Sequence, residues 1–175
     1  CGRRYAVMTN SGSSAHLVAL TALRCLGKLQ EGDEVVTPAL TWATTVFPIA
    51  QVGCIPVLAD VRLDTYNLDW LRLSHSELSG WIMPVSLLGN PCKINPEKSL
   101  HDACEAHGAM IGNRNVGSFG LAATFSFFFS HHISTVEGGM VVTDDLEFAD
   151  TCRALRAFGW IRDMKKKEEI MKKHP

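Results

Sequence analysis

Tyr5-Ala-Val-Met-Thr-Asn-Ser-Gly-Ser-Ser-Ala-His-Leu-Val-Ala-Leu-Thr-Ala-Leu-Arg-Cys-Leu-Gly27 carries the first instruction about the fold. Tyr5 to Met8 is a short apolar run. Thr9 to Ser14 is a small polar turn. Leu17, Leu20, Leu23 and Leu26 then recur at helical spacing, and Gly27 is a stop signal. The spacing predicts a strand, a turn and a helix over roughly Ser13 to Leu26.

The same alternation continues downstream. Glu31-Gly-Asp33 is a turn, and Glu34 to Thr37 reads as a strand. Thr41 to Val52 reads as a helix in which Pro48 is tolerated only near the first turn or at a kink. Ile55 to Leu58, Trp81 to Val85, Ala122 to Phe129 and Met140 to Thr143 read as strands. Asp144 or Asp145 can cap a helix with Leu146, Ala149, Cys152 and Leu155 on one face, ending at Gly159. Strands alternating with helices predict an α/β protein: a three-layer core around a mostly parallel sheet.

Composition narrows the function. The 175 residues fit one domain by length, and 46% apolar with 20% charged residues is ordinary for a globular chain. A net charge of -1 gives no electrostatic reason to expect nucleic acid or an anionic membrane. No apolar run approaches the roughly 20 residues that cross a bilayer, and no signal peptide is visible after Cys1-Gly-Arg-Arg-Tyr5. The first residue is not Met, which points to a start further upstream. None of the six cysteines is paired as CxxC, so reduced thiols in a cytoplasmic protein are expected. The tail from Lys165 to Pro175 is charged and reads as a solvated helix or a frayed end.

Two stretches suggest chemistry. Ser11-Gly-Ser-Ser14 opens a helix, where free N–H groups and a partial positive charge suit a phosphate. Plain N-capping by serine explains the same residues without a ligand. Ser126-Phe-Phe-Phe-Ser-His-His-Ile-Ser-Thr-Val-Glu-Gly-Gly-Met140 ends a strand in a serine, a His pair and an acidic Gly-Gly turn. That His pair is open to three readings: a metal site, a general base or structural histidines.

An ordered set of further stretches accompanies these two. They are Glu31-Gly-Asp-Glu-Val-Val-Thr-Pro-Ala-Leu-Thr-Trp-Ala-Thr-Thr45, Pro56-Val-Leu-Ala-Asp-Val61, Asp64-Thr-Tyr-Asn-Leu-Asp69, Leu88-Gly-Asn-Pro91, Asp102-Ala-Cys-Glu-Ala-His-Gly-Ala109, Val116-Gly-Ser-Phe-Gly120 and Arg156-Ala-Phe-Gly-Trp-Ile-Arg-Asp163. Together with the first two they resemble the DegT/DnrJ/EryC1/StrS family of vitamin B6-dependent sugar aminotransferases. The resemblance runs from residue 5 to about 163. It implies the aspartate aminotransferase fold and pyridoxal 5'-phosphate or pyridoxamine 5'-phosphate as cofactor. It implies Gly12, Ser13 and Ser126 on the cofactor phosphate, Trp42 stacked on the ring, Asp102 on the pyridine nitrogen and Glu105 near the ring hydroxyl.

One position departs from that family. Its aminotransferases hold the cofactor on a lysine five residues after the serine of the Ser-Phe motif, and here that count from Ser126 reaches His131. An imidazole cannot make that bond. His131 instead resembles the branch that removes the C3 hydroxyl of nucleotide-linked 4-keto-6-deoxy sugars, where histidine is the catalytic base. The resemblance then implies a nucleotide-sugar substrate, a role in lipopolysaccharide or deoxysugar biosynthesis and a homodimer at full length. An aminotransferase that has lost its lysine and a truncated, non-catalytic remnant are the alternatives. No cysteine cluster follows Arg162-Asp163, so the iron–sulfur subtype of the branch is not indicated.

The resemblance also marks shortfalls. Family members are about twice as long, so residues 1–163 are expected to be part of a cofactor-binding large domain and 164–175 the start of a missing segment. A parallel crossover takes about a dozen residues or more, yet only Cys92 to His101 separate Pro91 from Asp102. The strand under the cofactor is therefore expected to be deleted or badly shortened. Ser86 stands where the family often has His.

Overall fold

A computed structural model describes residues 1–93 and 97–173. The chain begins with β1 (Tyr5–Thr9), α1 (Gly12–Cys25), β2 (Glu34–Pro38), α2 (Ala43–Gln51) and β3 (Ile55–Ala59). These match the sequence expectation within two residues at nearly every boundary. The middle holds α3 (His75–Ser79), β4 (Trp81–Ile82), β5 (Leu100–Asp102), β6 (Met110–Ile111) and β7 (Arg114–Asn115). Then come β8 (Ala122–Ser126), β9 (Gly139–Thr143), α4 (Leu146–Arg156) and α5 (Lys167–Lys173).

The strands lie in the order β3-β2-β4 and β1-β9-β8-β5. Parallel bridges from Ile82 to Ser99 and from Val85 to Asp102 join the two groups across β4 and β5. Within the joined sheet, only β9 runs antiparallel to its neighbours among the described residues. The sheet is thus mostly parallel, as the alternating pattern predicts.

Side-chain alternation divides the sheet into two faces. Val35, Met83, Ala122 and Val141 pack with Leu20, Leu23, Ile49 and Phe148 from α1, α2 and α4. Their neighbours Val36 and Ile82 turn the other way onto Leu68 and Cys92. Ala123, Phe125 and Val142 do the same against Ala103, Ala106 and Val116. Helices cover one face, and the segments around 61–73 and 103–119 cover the other. Burying a side chain such as Phe148 or Leu20 contributes about 1.5–3 kcal/mol.

Five details correct or refine the sequence reading. The strand before Asp102 is short but present: Leu100 pairs with Ala122 and Asp102 with Thr124. The family's crossover helix is absent among the described residues; residues 94–96 lie outside them. β8 ends at Ser126, so Phe129 is exposed rather than buried. Pro48 is the sixth residue of α2, past the first turn, and the helix continues through it. The charged tail forms α5, anchored where the amides of Lys165 and Lys166 donate to the buried Asp150 carboxylate, each at 3.0 Å.

Candidate functional site

The N-terminus of α1 meets the ends of β8 and β9. The Ser11 hydroxyl caps the helix, accepting from the Ser14 N–H at 3.1 Å. The N–H groups of Gly12 and Ser13, in the first turn, have no carbonyl within the helix to donate to. Gly12 is packed so closely that a Cβ there would lie 2.7 Å from Ser126 Cβ and 3.2 Å from Cys104 Sγ. A Cβ at Gly139 would lie 2.0 Å from the Ser11 carbonyl oxygen. Both glycines let bare backbone approach, and the result is a shallow cradle floored by Ser126. The Ser126 hydroxyl accepts from the Phe128 N–H at 3.3 Å and keeps its own proton to donate.

Asp102 closes the floor at the end of β5 and is 5% exposed. Its Oδ2 accepts from the Thr45 hydroxyl at 2.8 Å, and its Oδ1 accepts from the Cys104 N–H at 3.1 Å. His16 Nε2 lies 3.3 Å from the same Oδ2. Burial alone would raise the Asp102 pKa. The His16 charge, together with these hydrogen bonds, outweighs burial and holds the carboxyl well below the usual carboxylate range.

The walls come from loops. Trp42 precedes α2 and lines the cavity with its indole 76% exposed, a flat apolar surface with little against it. Glu105 takes the Leu88 N–H on Oε2 and so pins the turn at 87–89. His131 follows β8, half-buried, its N–H donating to the Phe128 carbonyl at 3.0 Å. His132 is exposed and is not among the lining residues. The Thr135 N–H donates to the Phe127 carbonyl at 2.9 Å and the Phe127 N–H to Gly138, closing the loop that carries His131.

Gly12, Ser13, Trp42, Asp102, Glu105, Ser126 and His131 all line one cavity of about 520 Å³. They come from points between residues 12 and 131 of the chain. The volume lies within the range of about 300–1,000 Å³ for small-molecule sites. The described lining contains no lysine. It also contains residues the sequence reading did not single out: His16, Thr41, Cys104, Ser130 and Glu137. Thr45 supports the site from behind through its bond to Asp102. A lone His in a leucine-rich helix and a Thr in an apolar one carry no local motif, because their partners are remote in sequence.

Comparison with known proteins shows the family. The sequence pattern of the DegT/DnrJ/EryC1/StrS aminotransferase family matches residues 1–174. The chain is 40% identical over 182 residues to GDP-4-keto-6-deoxy-D-mannose 3-dehydratase of Escherichia coli, a match spanning 97% of this chain and 47% of that protein. It is similar in structure to a mutant GDP-4-keto-6-deoxymannose-3-dehydratase with bound GDP-perosamine, at a TM-score of 0.88 and 40% identity, over 95% of this chain and 46% of that one. It is also similar to the E. coli GDP-4-keto-6-deoxy-D-mannose-3-dehydratase with bound hydrated PLP, at a TM-score of 0.84 and 38% identity, over 94% of this chain and 46% of that one. The chain thus spans just under half the length of these relatives.

Proposed function

The chain belongs to the DegT/DnrJ/EryC1/StrS aminotransferase family, and on that basis we propose that it is the cofactor-binding part of a nucleotide-sugar 3-dehydratase in which His131 is the base. The observation that carries the proposal is the cavity itself: six residues suited to a phosphopyridine line it, His131 lines it as well, and no lysine does among the described residues.

The donor set fits pyridoxal or pyridoxamine phosphate. The N–H groups of Gly12 and Ser13 and the Ser126 hydroxyl would hold the phosphate, in a cradle that a Cβ at Gly12 would fill. The exposed indole of Trp42 would cover one face of the ring. The ionised Asp102 would pair with a protonated ring nitrogen. Glu105 would meet the ring hydroxyl with the oxygen that Leu88 does not use. When bound, the cofactor supplies an amino group to the sugar's 4-keto carbon and a protonated ring that withdraws electrons. His131 would take the proton from the cofactor C4′ as the C3 hydroxyl departs, a task suited to imidazole near neutral pH.

In this reading residues 1–163 belong to the cofactor-binding large domain and 164–175 lead out of it. The substrate is a nucleotide-linked 4-keto-6-deoxy sugar, and the working form is a homodimer in the cytoplasm. The six free thiols fit a reducing compartment.

The test supplies pyridoxamine phosphate and GDP-4-keto-6-deoxymannose and follows loss of the C3 oxygen by mass spectrometry. Wild type should deoxygenate the sugar. His131→Asn should lose about 10²–10⁴ in rate while binding cofactor equally well. Full activity in that variant would remove His131 from the base role. Amino transfer to the sugar instead of deoxygenation would favour the aminotransferase reading.

A further inference from the structure

We propose that His16 is a positioning residue beneath the ring-nitrogen site: a buried, doubly protonated imidazole that keeps Asp102 ionised and leaves one lone-pair site on Asp102 Oδ1 for the ligand. The inference rests on the cofactor reading above for its ligand, but not for the ion pair itself.

Both ring nitrogens of His16 face acceptors. Nδ1 lies 2.9 Å from the Thr44 carbonyl oxygen, which can only accept, so Nδ1 carries a proton. Nε2 lies 3.3 Å from Asp102 Oδ2. A bare lone pair there would face a carboxylate across a dry gap, since His16 is 1% exposed. The Cys104 thiol also faces Nε2, but at 3.9 Å it is a longer and weaker contact than the carboxylate at 3.3 Å. Nε2 therefore carries a proton too, and the ring is an imidazolium.

The sequence explains why the Thr44 carbonyl is available. In α2 the residue four positions on is Pro48, which has no N–H to donate back to it. The missing helical hydrogen bond leaves that carbonyl open, and His16 from α1 fills it. A proline past the first turn of α2 thus has a role in the site.

A count of acceptors gives the function. A carboxylate oxygen takes about two hydrogen bonds. Oδ2 takes the Thr45 hydroxyl and His16; Oδ1 takes the Cys104 N–H. One place remains, on Oδ1, and Asp102 lines the cavity. The floor is then set to receive one further N–H donor before any ligand arrives.

The neighbouring groups leave this pair as the charge at the floor. The Cys104 thiol, 3.9 Å from His16 Nε2, is pushed up by burial and then by the Asp102 charge, so it stays neutral. Burial pulls His101 down to about 4, so it too is neutral near pH 7. α2 faces the pair with the uncharged Thr44 and Thr45, and β8 contributes the uncharged Ser126. Glu105 lies beyond Cys104, with its carboxylate on the Leu88 N–H. Burial would pull His16 itself down, but the Asp102 charge, its hydrogen bond and the Thr44 carbonyl outweigh burial and raise its pKa. His16, Asp102 and Cys104 present ligand atoms within 4.8 Å of one another, yet a metal there would have to displace these hydrogen bonds.

Two readouts test the proposal on the intact chain. In apo protein, nitrogen-15 correlation spectra of the imidazoles should show both His16 nitrogens protonated at pH 7.5. Pro48→Ala, which restores a competing N–H to Thr44, should lower the pH at which the second proton leaves. A single neutral tautomer at pH 7.5 overturns the proposal. The second readout is pyridoxal phosphate affinity from pH 5 to 8.5 in wild type and His16→Asn. Asparagine can still donate to Asp102 but brings no charge, so Asp102 becomes a buried carboxyl that protonates more readily. The variant should bind about tenfold more weakly near neutrality, and the ratio to wild type should grow by up to about tenfold per pH unit of acidification. A ratio that stays constant with pH marks a merely structural His16 and overturns the proposal. If wild type binds no pyridoxal phosphate, the cofactor reading fails, while the apo spectra still decide the ion pair.

Discussion

Replacing Asp102 by asparagine should expose the coupling at the floor of the site through stability alone. The substitution keeps the shape and an acceptor for the Cys104 N–H, but it removes the charge 3.3 Å from His16. Removing one partner of a buried pair costs about 3–5 kcal/mol. His16 can shed its proton in the variant, so the cost at pH 7 should sit at the low end, about 3 kcal/mol. The pH dependence follows from the signs. In wild type the folded-state pKa of His16 is raised above its ordinary 6.5. Its contribution is therefore complete below 6.5 and is lost only as pH rises through the folded value. In the variant only the Thr44 carbonyl still opposes burial, the weakest of the opposing contributions, and the folded pKa falls below 6.5. Stability must then drop as pH falls, because the unfolded chain binds a proton that the folded chain refuses. That slope is at most about 1.4 kcal/mol per pH unit, or about 2 kcal/mol between pH 6.5 and 5. The gap between the proteins should widen from about 3 kcal/mol at pH 7 to about 5 kcal/mol at pH 5. His101, held down to about 4 by burial, adds a similar acid loss to both proteins and largely cancels. Urea unfolding followed by circular dichroism at pH 7, 6 and 5 measures the gap. A gap that is constant or narrows with acid would refute a charged His16 held by Asp102.

Gly12→Ala puts a Cβ 2.7 Å from Ser126 Cβ. It should cost about 1–3 kcal/mol by overpacking, seen in the urea midpoint, and should weaken pyridoxal phosphate binding in a fluorescence titration. Asp150→Ala removes the acceptor for the Lys165 and Lys166 amides and for Arg153, which lies at 2.6 Å. Trypsin should then cut the 165–173 segment faster, with the rest of the chain holding. Phe47, Phe158 and Trp160 are exposed apolar side chains, so the elution volume on size exclusion should fall as concentration rises. A clean monomer at all concentrations would argue against the homodimer.

Local signals and remote contacts divide what could be read in advance. α1 was legible because Ser-Gly-Ser-Ser supplies its cap and leucines at helical spacing supply its core face. The strands β2, β3, β8 and β9 were legible as apolar runs bounded by turn residues. Ser74 and Glu77 form a capping box at α3 that could have been read, since the Ser-x-x-Glu spacing is a start signal. The β6–β7 hairpin around Gly112-Asn113 has two-residue strands, too short for any alternation to show. Counting residues before Asp102 predicts a lost strand. Pairing to β8 nonetheless holds a three-residue β5 in place, and that contact is tertiary. The seven candidate residues were singled out through ordered motifs, and they line one cavity. His16 was not, because its partners Thr44 and Asp102 lie far along the chain and nothing beside it in α1 announces a charge.

Covalent attachment of cofactor is the measurement closest to the central claim. Pyridoxal phosphate is titrated into the chain, treated with borohydride and followed by denaturing mass spectrometry with peptide mapping. Wild type should bind the cofactor in the cavity and release all of it on denaturation, with no label mapped to the site. His131→Lys should retain one cofactor after reduction, mapped to residue 131, and should show a near-visible absorbance band before it. Cofactor locked into the wild-type cavity, or a His131→Lys variant that binds but is never labelled at 131, would contradict the placement of His131 at the reactive end of the site.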